Sequence, residues 1–382
     1  MILLTTLGVL VVGQMYTVLA LLHSMAESLG STPGQVTWSA TAFGFAYAAG
    51  FLLAGPLTDR YGARTVITWG LVVATAATVA VSAAPDLTWV ITLRVLQGLS
   101  AAAFAPAAFS YVGHHLAPPS RGMALTCLTS GMLGAAVLMQ IGAQAVEAPL
   151  GWRAVFLLSA ALMALSLLFV RRVLRPTPRE DTGASGGLLH AFAVMPRLLR
   201  RPRLIALYLA TMMLMGGFVS VYTGVAVAGP PDIAGHPSAV LALRAGALPA
   251  LIAVPLLAPV LSRVLAPRRL ASSLGLAAVT VTAASLLADH TILLAGALLL
   301  FVAVVAIAAP AAVETVSTSA PHARGAAVAL YACSMFIGAS LGPQLAGALT
   351  DQGFGTILRV TAVGLLLGAV LALPALRRRP CE

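Results

Sequence analysis

Long apolar runs, each close to twenty residues and separated by short polar loops, constrain this chain more than any other feature. They lie at about 3–25, 36–56, 66–84, 88–112, 122–146 and 152–170, and again at about 204–228, 238–262, 270–287, 291–313, 324–349 and 355–376. A helix needs roughly 20 apolar residues to cross the hydrocarbon core of a bilayer. The runs are too long for strands, lack period-two alternation and are rich in Ala and Leu. Hydrophobic residues make up 60% of the chain and charged residues 9%, against about 25% charged in a soluble domain. So much apolar surface cannot all be buried in one core. The expectation is an all-α membrane protein with twelve transmembrane helices.

Charge placement sets a topology. The net charge is +11, a balance that suits nucleic acid or an anionic membrane surface. With the N-terminus placed inside, 18 of the 22 basic residues fall in inside loops and the tail. These are Arg60, Arg64, Arg121, eight Arg between 171 and 203, Arg263, Arg268, Arg269, Arg324, Arg377, Arg378 and Arg379. Only Arg153 and Arg359 fall outside, while Arg94 and Arg244 lie within spans. The positive-inside rule then places both termini in the cytoplasm, and no nucleic-acid partner is needed to explain the charge. Every basic residue is Arg and none is Lys. That usage reflects a GC-rich genome and suggests a bacterial cytoplasmic membrane. Cys127, Cys333 and Cys381 show no paired spacing, so neither a disulfide nor a metal site is expected. Met1 opens directly into an apolar run without a basic n-region, and a cleaved signal peptide is not expected.

The halves repeat. APAAFSYV at 105–112 returns as APAAVETV at 309–316, SRG at 120–122 as ARG at 323–325, and Pro33 as Pro237. Gly134 and Gln140 match Gly338 and Gln344, and Asp59-Arg60 aligns with Ser262-Arg263. All of these offsets are 203 or 204, whereas chance matches would scatter. The expected organisation is an N-terminal six-helix half at 1–170, a cytoplasmic linker at 171–203 and a C-terminal six-helix half at 204–382. Halves of this parallel kind are related by an axis along the membrane normal. Within the linker, 188–200 has the composition of a short amphipathic helix, with Arg197, Arg200, Arg201 and Arg203 near anionic headgroups. These arginines equally serve as topology markers.

The sharpest local signal is GPLTDRYGARTV at 55–66. So short a loop must turn tightly. Gly55 permits close helix approach and Gly62 can take a positive φ, while Asp59 can accept from a helix N-terminus or pair with an Arg. Helix four carries LRVLQG at 93–98, and GWRAVF follows at 151–156. These segments resemble the signature loop, the R-x-x-Q-G motif and the helix-six start of the major facilitator superfamily. The resemblance covers essentially the whole chain and is nearest to bacterial drug and metabolite exporters of the sugar- and drug-efflux kind.

The resemblance implies a conformational latch on the cytoplasmic side, built from Gly55, Asp59, Arg60, Gly62 and Arg64, with Asp59 facing the start of helix eleven near Arg324 and Gly325. The second half has lost the equivalent acid, since Ser262 stands opposite Asp59. There the expectation is a pair between Glu314 and Arg263, with Arg268 as the alternative partner and Ser110 at the matching place in the first half. The family architecture also implies a cavity lined by helices one, four, seven and ten. Candidate contacts are Gln14, Tyr16 and Thr17 in helix one, Tyr47 in helix two, Arg94 and Gln97 in helix four, and Gln140 in helix five. The second half offers Tyr208, Thr211 and Tyr222 in helix seven and Tyr331 in helix eleven. Each can equally serve ordinary interhelical packing. Met212, Met213 and Met215 would suit varied apolar ligands.

Arg94 is the most informative of these. It lies about six residues into its helix, roughly 9 Å along the axis, where a charge costs a few kcal/mol unless it meets a partner or a cavity. Snorkelling to the outer headgroups is the plainer alternative. A guanidinium holds its proton too tightly to shuttle it, so Arg94 would tune a neighbour or hold an anionic substrate. The chain departs from the exporter pattern in helix five, where GMLGAAVLMQIGAQAV at 131–146 contains no Pro, although GPQLAG stands at 342–347. No Asp or Glu lies inside helix one, Glu27 falls just beyond it, and His23, His114 and His115 lie near helix ends. Proton coupling is thus implied by the resemblance alone.

The leading expectation is a secondary transporter, monomeric in its pathway, exporting a small organic molecule against inward proton flow. An uptake carrier or uniporter for a metabolite, an anionic one if Arg94 holds it, is the alternative within transport, and a membrane sensor or assembly subunit is the alternative outside it. No catalytic constellation, pore loop or P-loop is present in the sequence, so no enzyme activity and no cofactor is expected.

Overall fold

The computed structural model describes residues 2–176, 195–234, 237–246 and 263–376, with isolated residues between 249 and 261. Every regular element among the described residues is helical. The chain divides into two compact units, Met1–Leu188 and Leu189–Glu382. Among the described residues, ten helical runs are long and apolar enough to cross a membrane. The count falls below twelve for two reasons. Gly134–Val173 forms one run that takes in the spans expected to end at 146 and begin at 152. The expected span 238–262 lies largely outside the described residues, as do 177–194 of the linker and the tail from 377.

In unit 1 the helices are α1 (Ile2–Thr17), α2 (Leu22–Ser28), α3 (Pro33–Tyr61), α4 (Ala63–Ser82), α5 (Leu87–Ala101), α6 (Phe104–His115) and α7 (Pro118–Val173). Local chemistry explains the ends. α3 starts earlier than apolarity alone indicates because Thr32 and Gln35 form a capping box, with Pro33 in the first turn. Asp86 caps α5 by accepting from the Trp89 N–H at 2.9 Å. The expected span 88–112 is broken between α5 and α6. Pro106 supplies the reason, because its ring opposes the carbonyl four residues earlier, at Ala102. α7 is interrupted once, at Gly151, where φ is 77°.

Unit 2 contains α8 (Pro202–Ala228), α9 (Pro231–Ala234), α10 (Pro237–Gly246), α11 (Ala266–Leu286), α12 (Thr291–Ser319), α13 (Arg324–Ala348) and α14 (Phe354–Ala372). α12 runs 29 residues, about 43 Å at 1.5 Å per residue. That exceeds a ~30 Å hydrocarbon core and carries Glu314 out towards water. Before α8, a helical turn at 195–198 buries Met195 and Leu198 and leaves Arg197 and Arg200 exposed.

Helix pairing repeats between the units. In unit 1, α1 lies along α7, and α4 packs against α5 and α7. In unit 2, the corresponding α8 lies along α13, and α11 packs against α12 and α14. The outer faces are apolar: Trp69, Leu165, Leu168 and Phe169 in unit 1 and Leu293, Val363 and Leu366 in unit 2 are all well exposed. Such surfaces in water would drive aggregation. Against lipid they need no cover, since helices satisfy their own backbone groups.

Candidate functional site

The polar centre of unit 1 is assembled from four helices. α5 supplies Arg94 and Gln97, three residues apart and therefore on one face. Both side chains are fully buried. Arg94 Nη1 donates to Gln97 Oε1 at 2.7 Å, and Arg94 Nε donates to the Ser39 carbonyl of α3 at 3.3 Å. Its guanidinium carbon sits 4.3 Å from the centre of the Phe43 ring, a cation–π contact strengthened by desolvation. Gln97 Nε2 donates in turn to Gln14 Oε1 of α1 at 3.2 Å and to Thr78 Oγ1 of α4 at 2.7 Å. Gln14 and Thr78 close the network onto backbone carbonyls of their own helices, Leu10 and Ala74.

Gly98 allows this arrangement. A Cβ at that position would overlap the Phe43 carbonyl, so glycine is what brings α5 against the backbone of α3. The R-x-x-Q-G spacing thus reads as a charge, its amide partner and the gap that admits both. Arg94 does not snorkel. Its Nη2 is buried and has no hydrogen-bond partner among the described residues. A buried donor of this kind is costly to leave unmet, and it is the one polar atom of the network still open to an acceptor.

Of the sequence candidates, the network joins Gln14, Arg94 and Gln97. Tyr47 is buried on the same face of α3 as Phe43, with ring centres 5.9 Å apart, and Tyr16 is buried in α1. Thr17 and Gln140 are not part of the network; each bonds a carbonyl of its own helix, Gly13 and Ala136. In unit 2, Thr211 likewise bonds the Leu207 carbonyl. Tyr222 packs against Phe218 at 5.3 Å, and the Tyr331 hydroxyl donates to the Ala309 carbonyl at 3.3 Å. Tyr208 is buried, and its hydroxyl has no partner among the described residues. Sequence reasoning missed Ser39, Phe43 and Thr78. Ser39, Phe43 and Tyr47 recur every four residues along one face of α3, and that period was the available signal.

The residues expected to form a latch are placed in part. Gly62 alone connects α3 to α4, with φ 79°, as its expected turn role requires. Gly55 makes no close approach among the described residues, none of which lies within 4 Å of where its Cβ would stand, so the expected packing role is not seen there. Arg60 is exposed and lies 5.4 Å from the Tyr61 ring. Arg64 Nη2 donates to the Arg171 carbonyl at the end of α7, at 2.8 Å, so it ties two helix ends within unit 1. The side chains of Asp59 and Arg324 lie outside the described residues. The expected partner of Glu314 is also corrected. Arg269 Nη2 meets Glu314 Oε2 at 2.7 Å, while Arg263 and Arg268 are exposed. α11 already begins at Ala266, so Arg269 falls in its first turn on the buried face. Its Nη1 also donates to the Leu261 carbonyl at 2.8 Å.

GWRAVF has a structural part at the opposite end of unit 1. Arg153 stacks on Trp152 at 4.4 Å and donates to Ser28 Oγ at 2.9 Å and to the Ala84 carbonyl at 3.4 Å. One guanidinium thereby holds the ends of three helical segments.

Apolar outer faces, a repeated set of helix pairings and a charge sealed inside a span define a multi-pass membrane protein of internally duplicated design. Comparison with known proteins makes the class specific. The Major Facilitator Superfamily model matches residues 3–343, and the chain belongs to that family. It is 29% identical over 161 residues to a methylenomycin A resistance protein of Streptomyces coelicolor, covering 42% of this chain and 34% of that one. It is 27% identical over 164 residues to the niacin transporter NiaP of Acinetobacter baylyi, covering 42% and 36%. It is 26% identical over 172 residues to a multidrug resistance protein B homolog of Mycobacterium tuberculosis, covering 44% and 32%. The matched stretches thus span about a third of each relative's length.

Proposed function

We propose that this protein is a secondary transporter that carries a small organic molecule across a bacterial cytoplasmic membrane by alternating access, with both termini in the cytoplasm. The observation that carries this reading is the family match over 3–343, laid over two units that repeat the same helix pairing. Export driven by inward proton flow is the favoured mode, because the relatives include a methylenomycin A resistance protein and a multidrug resistance protein B homolog. The latch residues and the scattered tyrosines belong to this proposal, as does action as a monomer. Arg94 enters it as the cation whose open Nη2 makes the centre of unit 1 responsive to an acceptor. Its complete burial favours a positioning role over direct substrate contact.

A second reading, a carrier for an anionic metabolite, draws on a relative named as a niacin transporter together with the open N–H of Arg94.

Proton flux in everted vesicles tests both. Vesicles are energised, a pH-sensitive dye reports the gradient, and drugs, sugars and carboxylates are added in turn. The expected result is dye recovery with one compound class, lost in Arg94→Gln protein inserted at the same level. No recovery with any compound, together with gradient-independent exchange of a labelled carboxylate, would replace export with the carrier reading.

A further inference from the structure

A small cavity opens at the end of unit 1 where α1 begins and α6 and α7 finish. Its volume is about 190 Å³. Leu3, Leu4, Val173 and Leu174 form its apolar walls, and Tyr111, His115 and Arg175 give it one polar side. None of the residues of the Arg94 network lines it.

The polar side can donate to an anion, through the Tyr111 O–H and through His115 when Nδ1 carries the proton. The Tyr111 hydroxyl accepts from the Arg175 backbone N–H at 3.1 Å, which leaves its own O–H without an acceptor among the described residues. His115 stacks on Tyr111 with ring centres 4.2 Å apart and planes 14° from parallel, so the imidazole is held in one orientation. Its Nδ1 is buried and has no partner among the described residues. The Arg175 side chain is exposed at the mouth. Arg171 and Arg172 stand one turn back on α7. The ends of α6 and α7 contribute about half a negative charge each, and the start of α1 about half a positive one. Three arginines outweigh that balance, and an anion is favoured.

The apolar walls decide what kind of anion. Val173 and Phe169 on α7 are exposed towards lipid, so the cavity is continuous with a surface that hydrocarbon would cover. Basic pockets between membrane helices at a bilayer surface suit anionic headgroups. We propose that this cavity binds a phosphate-bearing ligand with an apolar stem. The phosphate meets Tyr111, His115 and Arg175, and the stem runs over Leu3, Leu4 and Val173. The expected source is an anionic phospholipid of the leaflet this end faces, and the volume fits its headgroup and not its chains.

Native mass spectrometry of the full-length protein in neutral detergent tests the proposal, with added dioleoylphosphatidylglycerol, dioleoylphosphatidylcholine, glycerol 3-phosphate or inorganic phosphate. His115→Phe keeps the stack and removes the ring nitrogens. Arg175→Gln removes an exposed charge and leaves the backbone N–H in place. The expected result is one phosphatidylglycerol retained in preference to phosphatidylcholine, with affinity falling about tenfold or more in each variant at unchanged melting temperature. Binding of glycerol 3-phosphate or inorganic phosphate with the same sensitivity to both variants would uphold the site and assign it to a soluble source. Equal retention of both lipids by the wild type, or retention unaffected by either variant, would overturn it.

Discussion

The two units pair the same helices and fill the crossing in opposite ways. At the offset of 204 that relates 105–112 to 309–316, Gln14 falls on Phe218, Gln97 on Phe301 and Arg94 on Leu298. In unit 1 the two glutamines meet through a 3.2 Å hydrogen bond. In unit 2 the two phenylalanines meet as tilted rings 6.3 Å apart. Arg94, Gln97, Leu298 and Phe301 are all fully buried. The fold therefore does not require a polar centre, because an aromatic one serves the same helix pairing. Replacing a buried charge network with packed apolar side chains is often neutral or stabilising. Unit 1 keeps the arrangement that stability alone does not demand, and the proposed transport chemistry is placed there for that reason.

The largest expected effect comes from breaking the polar side of this comparison. Arg94→Leu alone leaves Gln97 Oε1 without its donor and puts a shorter side chain in the crossing, and the unmet acceptor and the cavity together should destabilise by about 3–5 kcal/mol, read as unfolding of the purified protein. Converting Gln14→Phe, Arg94→Leu and Gln97→Phe together imports the unit 2 filling. The triple variant should regain most of that stability while losing transport. A triple variant less stable than the single one would mean that the two crossings differ in backbone shape as well as in side chains.

The reverse exchange is expected to cost less. Phe301→Gln buries an amide with no partner and removes a ring, together roughly 2–4 kcal/mol. Adding Phe218→Gln offers it the partner that Gln14 gives Gln97. The double variant should therefore be more stable than the sum of the two single effects, by 0.5 kcal/mol or more on the scale of neighbouring residues. Additive losses would show that the two phenylalanines do not occupy equivalent places.

Gly98 sharpens the comparison at smaller scale. Its counterpart at the same offset is Val302, which is buried. A Cβ at 98 meets the Phe43 backbone, which cannot yield as a flexible side chain can. Gly98→Ala should cost about 1–3 kcal/mol and Gly98→Val more, whereas Gly55→Ala meets open space and should be nearly silent. Equal effects at 98 and 55 would remove the close approach of α3 and α5 from the account of the site.

Much of this was legible in the sequence because it rests on periodic or strongly typed signals. Apolar length gave the spans, the constant offset exposed the repeat, and Arg94 with Gln97 stood out as polar groups in a span. Ser39 and Thr78 did not, because a single hydroxyl in a membrane helix ordinarily bonds its own backbone, as both of these do. The missed helix ends lie where caps and proline override hydropathy, at Thr32 and Pro106. The partner of Glu314 was misread for a related reason. Successive residues on a helix point about 100° apart, so whether 268 or 269 faces inward depends on where the helix begins, and hydropathy placed that start at 270. Arg64 was read as a charge that holds a loop inside, while its bond to the Arg171 carbonyl crosses 107 positions and left no local trace.

The smallest expected effect concerns a place where unit 2 carries a charge and its unit 1 counterpart does not. Glu314 matches Ser110, and it pairs with Arg269, whose side chain is 10% exposed against 54% for the glutamate. An ion pair with one half-exposed partner is screened by water, and such pairs contribute about 0–1 kcal/mol. Glu314→Ser, which imports the unit 1 residue, should therefore change stability only within that range. Arg269→Ala should cost more, because it also strips the Leu261 carbonyl of its 2.8 Å donor. The order of the two is the test. A larger loss for Glu314→Ser than for Arg269→Ala would show that the carboxylate holds more than this arginine. The polar character of unit 2 would then extend beyond this end of α12.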